Sequence, residues 1–350
     1  MLQCAQRRLI KSRHDKFLEA LNLISFGRNM NKCNLPQWAL DVLRSPKTGE
    51  PVRLEGCRLV NDIGQEVAGI EQNVVRFPVA VVDDIITFHR SIGGPRFFER
   101  SATPFAMSSL DTPIYHACLD EILPSNSEAV VVDVGGGDGR NAIHCLRQGL
   151  RRVVVIDVVA DALIRFRRRL ADLHPQWLDN VLLIEADARS LPLATSCADG
   201  VVAIESLAYL NEEYDVGLRE CIRILTPTGR ILISDRDYEG GLVLRLLYHG
   251  VQGMLSSAHT RSLWDGPVSL VRSRTFTQSE LENICRANGL EILRVRGMSL
   301  LPLLFGYLNS RDLLSADDAG HLPQIKGLLL DLAKNGTLRR CNLVIASPKK

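Results

Sequence analysis

Five short apolar runs alternate with amphipathic helical patterns, and this alternation restricts the fold more than any other feature of the chain. The strand-like runs are Val130 to Val134, Val153 to Ile156, Val181 to Ile184, Gly200 to Ile204 and Arg230 to Ser234. Strands that alternate with helices of about 10 to 15 residues indicate βαβ units, which form a parallel sheet with helices on both faces. We therefore expect an α/β fold for this part of the chain.

Turn residues and charge divide the 350-residue chain into four parts. Residues 1–33 hold seven Lys or Arg and two acidic residues, which predicts a loosely ordered basic extension or an organelle-targeting peptide. Residues 34–80 alternate brief apolar runs with turn residues and predict a small α+β segment. Residues 81–111 are expected to be a linker, and residues 112–350 a large domain with a helical insert at about 298–339.

Composition restricts the class of partner. The chain has 42 basic and 40 acidic residues, a balance that favours a small molecule over nucleic acid or a membrane surface as the main partner. No apolar run reaches the roughly 18 residues needed to span a bilayer. The nine cysteines form no CxxC pair. We therefore expect a reduced, cytoplasmic protein without a disulfide framework or a metal site.

A cluster of glycines follows the first strand-like run, in "AVVVDVGGGDGRNAIHCL". Gly135, Gly137 and Gly139 fall where the predicted strand turns into a helix. In an open parallel sheet, ligands bind beyond the carboxyl ends of the strands, and the turn after the first strand is the usual place. Glycine lets a ligand lie against bare backbone, and the next helix offers free N–H groups.

Spacing excludes two kinds of nucleotide site at this turn. A dinucleotide fingerprint that starts at Gly135 requires glycine at position 140, which is Arg140, and a P-loop requires a lysine that is absent. The remaining pattern is D-x-G-x-G-x-G, which begins at Asp133. Asp157 ends the second strand-like run, about 20 residues after Gly135, where an acid can bind ribose hydroxyls. The alternative for Asp157 is a turn residue at the strand end.

With these motifs, residues 112–347 resemble the class I S-adenosylmethionine-dependent methyltransferases. "IEADARSLPL" is similar to the third-strand motif of the family, which implies that Asp187 meets the adenine amino group and that the Ala188 N–H binds the ring. "CADGVVAIESLAYL" is similar to the fourth-strand motif, which implies that Glu205 faces the cofactor. Asp133 then lies near the methionine part of the cofactor or caps backbone N–H groups of the glycine turn.

The resemblance implies a Rossmann-like sheet of seven strands with helices on both faces and S-adenosylmethionine as the cofactor. The runs at Leu290 to Val295 and Cys341 to Ala346 fit the family's final hairpin. The residues implied at the cofactor site are Asp133, Gly135, Gly137, Gly139, Asp157, Asp187, Ala188 and Glu205.

"LDVLRSPKTGEPVRLEGCRLV" resembles the Trm112-like zinc-ribbon segments that precede some methyltransferase domains. Where that family has a C-P-x-C knuckle, this chain has Ser45, Pro46, Lys47 and Thr48, and Cys57 stands alone. Four Cys or His ligands are needed for structural zinc. We interpret the segment as a metal-free relic that packs on the catalytic domain or mediates a contact.

These features predict methyl transfer to a small organic acceptor that is apolar in part, at oxygen or less readily at carbon or nitrogen. An RNA methyltransferase, suggested by arginine clusters at 147–152 and 165–169, is the first alternative. A non-catalytic binding protein with a retained cofactor fold is the second. A hydroxyl acceptor requires a general base. The candidates are Glu205, Tyr209, Asp235, Asp237, His249 and His259. The two histidines are best placed, because they lie in the region that covers substrates in the family.

The apolar insert at about 298–339 is expected to be either a lid over the substrate or an ordinary packed helix.

Overall fold

The structure is a computed structural model that describes residues 33, 35–79, 111–265, 271–300 and 339–349; for residues 248–249 and 262–265 it describes only the backbone. Three predicted parts fall mostly or wholly outside these residues. They are the basic extension, the linker and the helical insert.

The N-terminal segment forms one short helix and four strands. Helix α1 spans Ala39–Val42, and strands β1 to β4 span Arg53–Glu55, Arg58–Val60, Glu66–Glu71 and Val74–Arg76. Each strand pairs antiparallel with the next. The segment therefore contains a small antiparallel sheet and a helix.

Seven of the remaining nine strands form the sheet that the sequence predicts. The nine are β5 (Val130–Val134), β6 (Arg152–Asp157), β7 (Val181–Glu185), β8 (Ala198–Ile204), β9 (Leu225–Arg236), β10 (Ser262–Asp265), β11 (Val271–Arg274), β12 (Leu290–Ser299) and β13 (Arg339–Pro348). The order is β7-β6-β5-β8-β9-β13-β12, and β10 and β11 form a separate hairpin. Strands β5 to β9 are parallel, whereas β13 is antiparallel to both β9 and β12. The seven-stranded sheet and its final hairpin are confirmed.

Helices cover both faces of this sheet, as predicted. They are α2 (Thr112–Asp120), α3 (Arg140–Arg147), α4 (Ala160–Leu173), α5 (Tyr214–Ile224), α6 (Tyr238–Thr260) and α7 (Gln278–Ala287). Tyr115 of α2 and Phe166 of α4 belong to the core on one face, and Tyr214 of α5 and Leu281 of α7 to the core on the other. None of the helices in the described ranges is both long and apolar enough to cross a membrane.

The small sheet continues the large one. Strand β4 pairs in parallel with β7, with Val74 opposite Leu183 and Val75 opposite Ile184, so that one sheet of eleven strands results. Val74 and Val75 are fully buried. The pairing covers an apolar edge, because β7 is buried throughout and without β4 it would expose unpaired backbone groups.

Hydrogen bonds close the turns where zinc knuckles would stand in a ribbon. Ser45 N–H donates to Glu50 O at 2.9 Å, and Asn61 Oδ1 accepts from Gln65 N–H at 2.8 Å. Ser45 and Asn61 are both buried. Among the described residues no group of three or more His, Cys, Asp or Glu could hold a metal ion. In this chain, polar contacts therefore hold the turns.

One cysteine prediction is wrong. Cys33 and Cys57 form a disulfide across 24 residues, whereas sequence analysis expected only free thiols. The pair has no sequence signature, because the folding of β2 and β3 brings its members together. The other described cysteines are free, and all except the half-buried Cys197 are buried, as expected of small apolar residues.

Candidate active site

Positive φ angles shape the glycine turn between β5 and α3. Gly135, Gly137 and Gly139 have φ of 75°, 49° and 76°. A Cβ at Gly135 would lie 2.2 Å from Cβ of Ser206, and one at Gly139 would lie 2.4 Å from the ring of Phe166. At Gly137 the nearest atom to such a Cβ is Oδ2 of Asp157, at 3.8 Å. Packing therefore requires the outer two glycines, whereas Gly137 leaves its backbone open to a ligand.

Asp157 joins the end of β6 to this turn. Its Oδ2 accepts a hydrogen bond from Gly137 N–H at 2.9 Å, and its Oδ1 accepts one from Val159 N–H at 2.8 Å. The side chain is half-buried. A carboxylate has about four acceptor positions and is therefore of the right chemistry to bind a diol. The structure thus brings together the predicted ribose acid and the middle glycine.

Asp133 lies beneath the glycine turn. Its Oδ1 accepts a hydrogen bond from Asn141 Nδ2 at 3.3 Å, and its Oδ2 has no partner among the described residues. Burial raises the pKa of Asp133 to about 7, against the opposing effect of Asn141. The N–H groups of Gly135 and Gly136 donate instead to Ile156 O, at 2.7 Å and 3.1 Å. The expected capping of these two groups by Asp133 is therefore not formed.

Arg189 holds the predicted adenine acid, Asp187. The Arg189 Nε lies 3.0 Å from both carboxylate oxygens, and Nη1 also pairs with Glu213. Burial tends to raise the pKa of Asp187, but hydrogen bonds from the Arg189 side chain and backbone outweigh it and lower the pKa. Ala188 follows Asp187 and is half-buried. Asp187 and Ala188 lie beyond the carboxyl end of β7.

Glu205 occupies a strained position directly after β8. Its φ is 50°, uncommon for a residue other than glycine, and its N–H donates to Ser234 O at 2.6 Å. The carboxylate accepts from Tyr115 OH at 2.7 Å and pairs with Arg340 at 2.9 Å and Arg236 at 3.8 Å. Burial opposes these charges, yet they lower the pKa of Glu205 to about 2. Glu205 is therefore ionised at neutral pH and is a poor general base.

Arg340 is the centre of a buried network that sequence analysis missed. It pairs with Asp111 at 2.8 Å and with Glu205, and it lies 3.3 Å from Tyr115 OH and from Met298 Sδ. Its side chain is 10% exposed. The network joins the starts of α2 and β13 to the ends of β8 and β12. No motif could reveal it, because its members come from distant segments that only the sheet brings together.

The predicted general bases lie in different environments. Tyr209 OH accepts a hydrogen bond from Arg236 Nη2 at 3.2 Å. Asp235 is fully buried, accepts from Tyr214 OH at 2.6 Å, and burial raises its pKa to about 7. Asp237 caps α6 by accepting from Gly240 N–H at 3.0 Å. These contacts give both aspartates a structural role.

Of the two favoured histidines, only His259 has a described side chain. It is exposed in the last turn of α6 and makes no contact with Glu205 or the glycine turn among the described residues. The backbone of His249 lies in the same helix, and its side chain is outside the described residues.

The polar groups around the turn fit S-adenosylmethionine. Asp157 and Gly137 suit a ribose, and Asp187 with Ala188 suits an adenine ring. Ser206 Oγ is buried beside the glycine turn and forms no hydrogen bond with the described residues. An unpaired buried hydroxyl costs about 1 to 3 kcal/mol, which a polar ligand at this position would offset.

Part of the chain matches known proteins. Residues 131–229 match the family model described as a methyltransferase domain. The match covers less than a third of the chain, so this part of the sheet is similar to a methyltransferase domain. The resemblance implied seven strands of which the last two form a hairpin, and the large sheet has both features.

Three relatives share about a third of their aligned residues with this chain. The ubiquinone/menaquinone biosynthesis C-methyltransferase UbiE of Blochmanniella pennsylvanica is 32% identical over 34% of this chain and 46% of its own length. The aclacinomycin 10-hydroxylase RdmB of Streptomyces purpurascens is 29% identical over 51% of this chain and 44% of its own length. The 27-O-demethylrifamycin SV methyltransferase of Amycolatopsis mediterranei is 30% identical over 33% of this chain and 41% of its own length. The matches therefore span less than half of each relative.

Proposed function

We propose that this protein transfers the methyl group of S-adenosylmethionine to a small organic acceptor, at oxygen. The observation that carries the proposal is the hydrogen bond of 2.9 Å between Gly137 N–H and Asp157 Oδ2. It lies at the carboxyl ends of neighbouring strands in a sheet with the strand order β7-β6-β5-β8-β9-β13-β12. This contact places a carboxylate beside open backbone at the site where such sheets bind nucleosides.

Each part of the cofactor has residues of matching chemistry. Asp157 accepts hydrogen bonds from the ribose hydroxyls, and Asp187 and the Ala188 N–H bind the adenine edge. The turn at Gly135 to Gly139, with Asp133 beneath it and Glu205 opposite, holds the methionine part. The cofactor supplies an electrophilic methyl group on a sulfonium, and the residues of this chain orient it and exclude water. Such alignment can lower a barrier by about 7 to 11 kcal/mol.

The acceptor site lies beyond the ends of β8 and β9. Arg236 ends β9 and links Glu205, at 3.8 Å, to Tyr209 OH, at 3.2 Å. The guanidinium favours an acceptor that carries a partial or full negative charge, such as a hydroxyl that loses its proton on methylation. An oxygen acceptor agrees with the name of the rifamycin relative, whereas the name of UbiE favours carbon.

Arginine pairing favours a small acceptor over RNA. In the first arginine cluster, Arg151 and Arg152 pair with Glu128 at 3.5 Å and 3.3 Å. In the second, Arg165 pairs with Asp138 at 3.2 Å, and Arg167 donates to a backbone carbonyl at 3.1 Å. Glu128 and Asp138 therefore reduce the positive charge that Arg151, Arg152 and Arg165 could present to a phosphate backbone.

A fold that binds the cofactor without methylating is the second candidate, and the similarity to the protein named aclacinomycin 10-hydroxylase supports it. The two candidates differ in turnover. Incubation with cofactor labelled in its methyl group and fractions of cell extract should yield a labelled small molecule if the protein is a methyltransferase. Tight binding without label transfer to any fraction would favour the second candidate.

Loss of the ribose acid tests the cofactor site. We expect Asp157→Ala to weaken S-adenosylhomocysteine binding at least about tenfold, because hydrogen bonds to a charged group contribute about 1.5 to 3 kcal/mol each. Isothermal titration calorimetry measures the affinity. Asp172→Ala, at an exposed position on α4, is the matched control and should leave it unchanged. An unchanged affinity in Asp157→Ala, or no binding by the unsubstituted protein, would contradict the proposal.

A further inference from the structure

Residues 191–193 follow the part of the chain proposed to bind adenine. The stretch begins three residues after Ala188, and Ser190 N–H donates to Asp187 O at 3.0 Å to form the turn that precedes it. The leucines at its two ends are 2% and 1% exposed. The position of Asp187 and Ala188 therefore depends on how this stretch is held.

Two side chains of helix α5 hold one edge of the stretch. Glu220 and Arg223 lie one helical turn apart and pair with each other at 2.7 Å. Glu220 Oε2 accepts a hydrogen bond from Leu191 N–H at 2.8 Å. Arg223 donates to Leu191 O at 2.9 Å and to Leu193 O at 2.8 Å. One ion pair, whose side chains are 20% and 32% exposed, therefore satisfies three backbone groups.

The same face of α5 lies against the turn that precedes the stretch. Gly217 is three residues before Glu220, so the two share a helix face. A Cβ at Gly217 would lie 3.8 Å from Ala188 O. Helix α5 therefore borders this part of the chain from Ala188 to Leu193.

The N-terminal segment holds the other edge of the stretch. Arg44 N–H donates to Pro192 O at 3.0 Å, and Ala194 N–H donates to Val42 O at 2.8 Å. These contacts do not involve α5. Loss of the α5 contacts should therefore shift the stretch without releasing it.

We infer that Glu220 and Arg223 are positioning residues through which this protein selects adenine over hypoxanthine as the base of its ligand. The inference rests on the proposed function, in which Asp187 and the Ala188 N–H bind the adenine edge. Glu220 and Arg223 fix the backbone that follows these two groups. They thereby limit how far the carboxylate and the N–H can move relative to the base.

Hydrogen-bond chemistry links this positioning to selectivity. The edge of adenine carries an amino donor beside a ring-nitrogen acceptor, which match a carboxylate and an N–H. Hypoxanthine carries a carbonyl acceptor beside an N–H donor, so that both contacts become unfavourable. A site built to hydrogen-bond one ligand rejects another that leaves its polar groups unpaired, provided that these groups are held in place.

Two ligands that differ only in the base test the inference. S-inosylhomocysteine has hypoxanthine in place of the adenine of S-adenosylhomocysteine. Calorimetry should show that the unsubstituted protein binds S-adenosylhomocysteine at least about tenfold more tightly. Arg223→Met should weaken S-adenosylhomocysteine binding by about threefold to tenfold and S-inosylhomocysteine binding by less than about twofold, because the contacts to the rest of the ligand remain.

Arg223→Lys and Arg219→Met are the controls. Arg223→Lys keeps the charge beside Glu220 but has one donor group in place of a fork, so its preference for adenine should be intermediate. If Arg223→Met does not fold, Arg223→Lys takes its place in the comparison. Arg219→Met, at an exposed position on α5, should bind both ligands like the unsubstituted protein.

The ratio of the two affinities separates the possible outcomes. An unchanged preference for adenine in the Arg223 variant, whether both ligands are weakened equally or not at all, overturns the inference. Equal affinity of the unsubstituted protein for the two ligands also overturns it, but leaves the ribose site of the proposed function standing. If the unsubstituted protein binds neither ligand, the proposed function fails as well.

Discussion

Replacement of Arg340 by methionine should lower the free energy of unfolding by about 3 to 5 kcal/mol, because it removes the ion-pair partner of the buried Asp111 and leaves Glu205 to the more distant Arg236, at 3.8 Å. Asp111 and Glu205 both pair with Arg340, at 2.8 Å and 2.9 Å, and Asp111 is 1% exposed. Burial already raises the pKa of Asp111 against the effect of Arg340. Urea denaturation of the variant and the unsubstituted protein measures the difference.

An exposed arginine provides the comparison. Arg58 lies 3.8 Å from Glu55 and 3.9 Å from Glu66, and all three side chains are about half exposed. Arg58→Met should therefore cost less than about 0.5 kcal/mol. Adding Glu205→Gln to Arg340→Met should recover part of the loss, since one of the stranded charges is removed. Equal costs for the two single arginine variants would show that the network contributes no stability.

The same network predicts how stability depends on pH. The folded protein lowers the pKa of Glu205 from 4.5 to about 2. A lowered carboxyl pKa stabilises the fold above the unfolded value, and that contribution is lost as the pH falls from about 4.5 towards 2. In Arg340→Met this acid-dependent loss should shrink. Denaturation curves recorded between these pH values follow it.

Gly135→Ala should cost about 2 to 5 kcal/mol of unfolding free energy and weaken S-adenosylhomocysteine binding. Two effects combine. The φ of 75° is unfavourable for alanine by about 1 to 2 kcal/mol, and the new Cβ would lie 2.2 Å from Cβ of Ser206. Forcing extra volume into a packed site costs about 1 to 3 kcal/mol. Denaturation and calorimetry report the two consequences.

Gly149→Ala separates these effects. Gly149 has φ of 91°, and a Cβ there meets nothing within 4 Å, so its substitution carries the backbone cost alone. Adding Ser206→Gly to Gly135→Ala should remove the collision and bring the cost close to that of Gly149→Ala. If Gly135→Ala is no more destabilising than Gly149→Ala, the close approach of Ser206 does not require the first glycine.

The glycine turn shows what local sequence can predict about the site. Gly135, Gly137 and Asp157 were expected at one ligand site, and the structure brings Asp157 within 2.9 Å of the Gly137 N–H. Local order suffices here because consecutive parallel strands end at the same edge of the sheet. Local sequence could not predict which contact requires glycine at each of these positions. Gly135 is required by Ser206, which is distant in sequence.

The candidate general base Glu205 shows what local sequence cannot predict about the site. Glu205 was a candidate because of its place after a strand, but its low pKa depends on Arg340, Arg236 and Tyr115. A pKa is set by burial and by charges within a few ångströms, and these neighbours come from other segments. Sequence position therefore identified the residue but not its protonation state.

By itself the sequence predicted the parallel strands, the helices between them and the residues that follow the strands, because hydrophobic periodicity and turn chemistry are local properties. Tertiary structure alone decided which charges meet and where the N-terminal strands attach. Strand β4 joins β7, and Arg340 joins Asp111 and Glu205, through contacts between segments that are far apart in the chain. Such contacts form because a buried strand edge needs a hydrogen-bonding partner and a buried charge needs an opposite charge. Local sequence patterns do not show which distant segment supplies that partner.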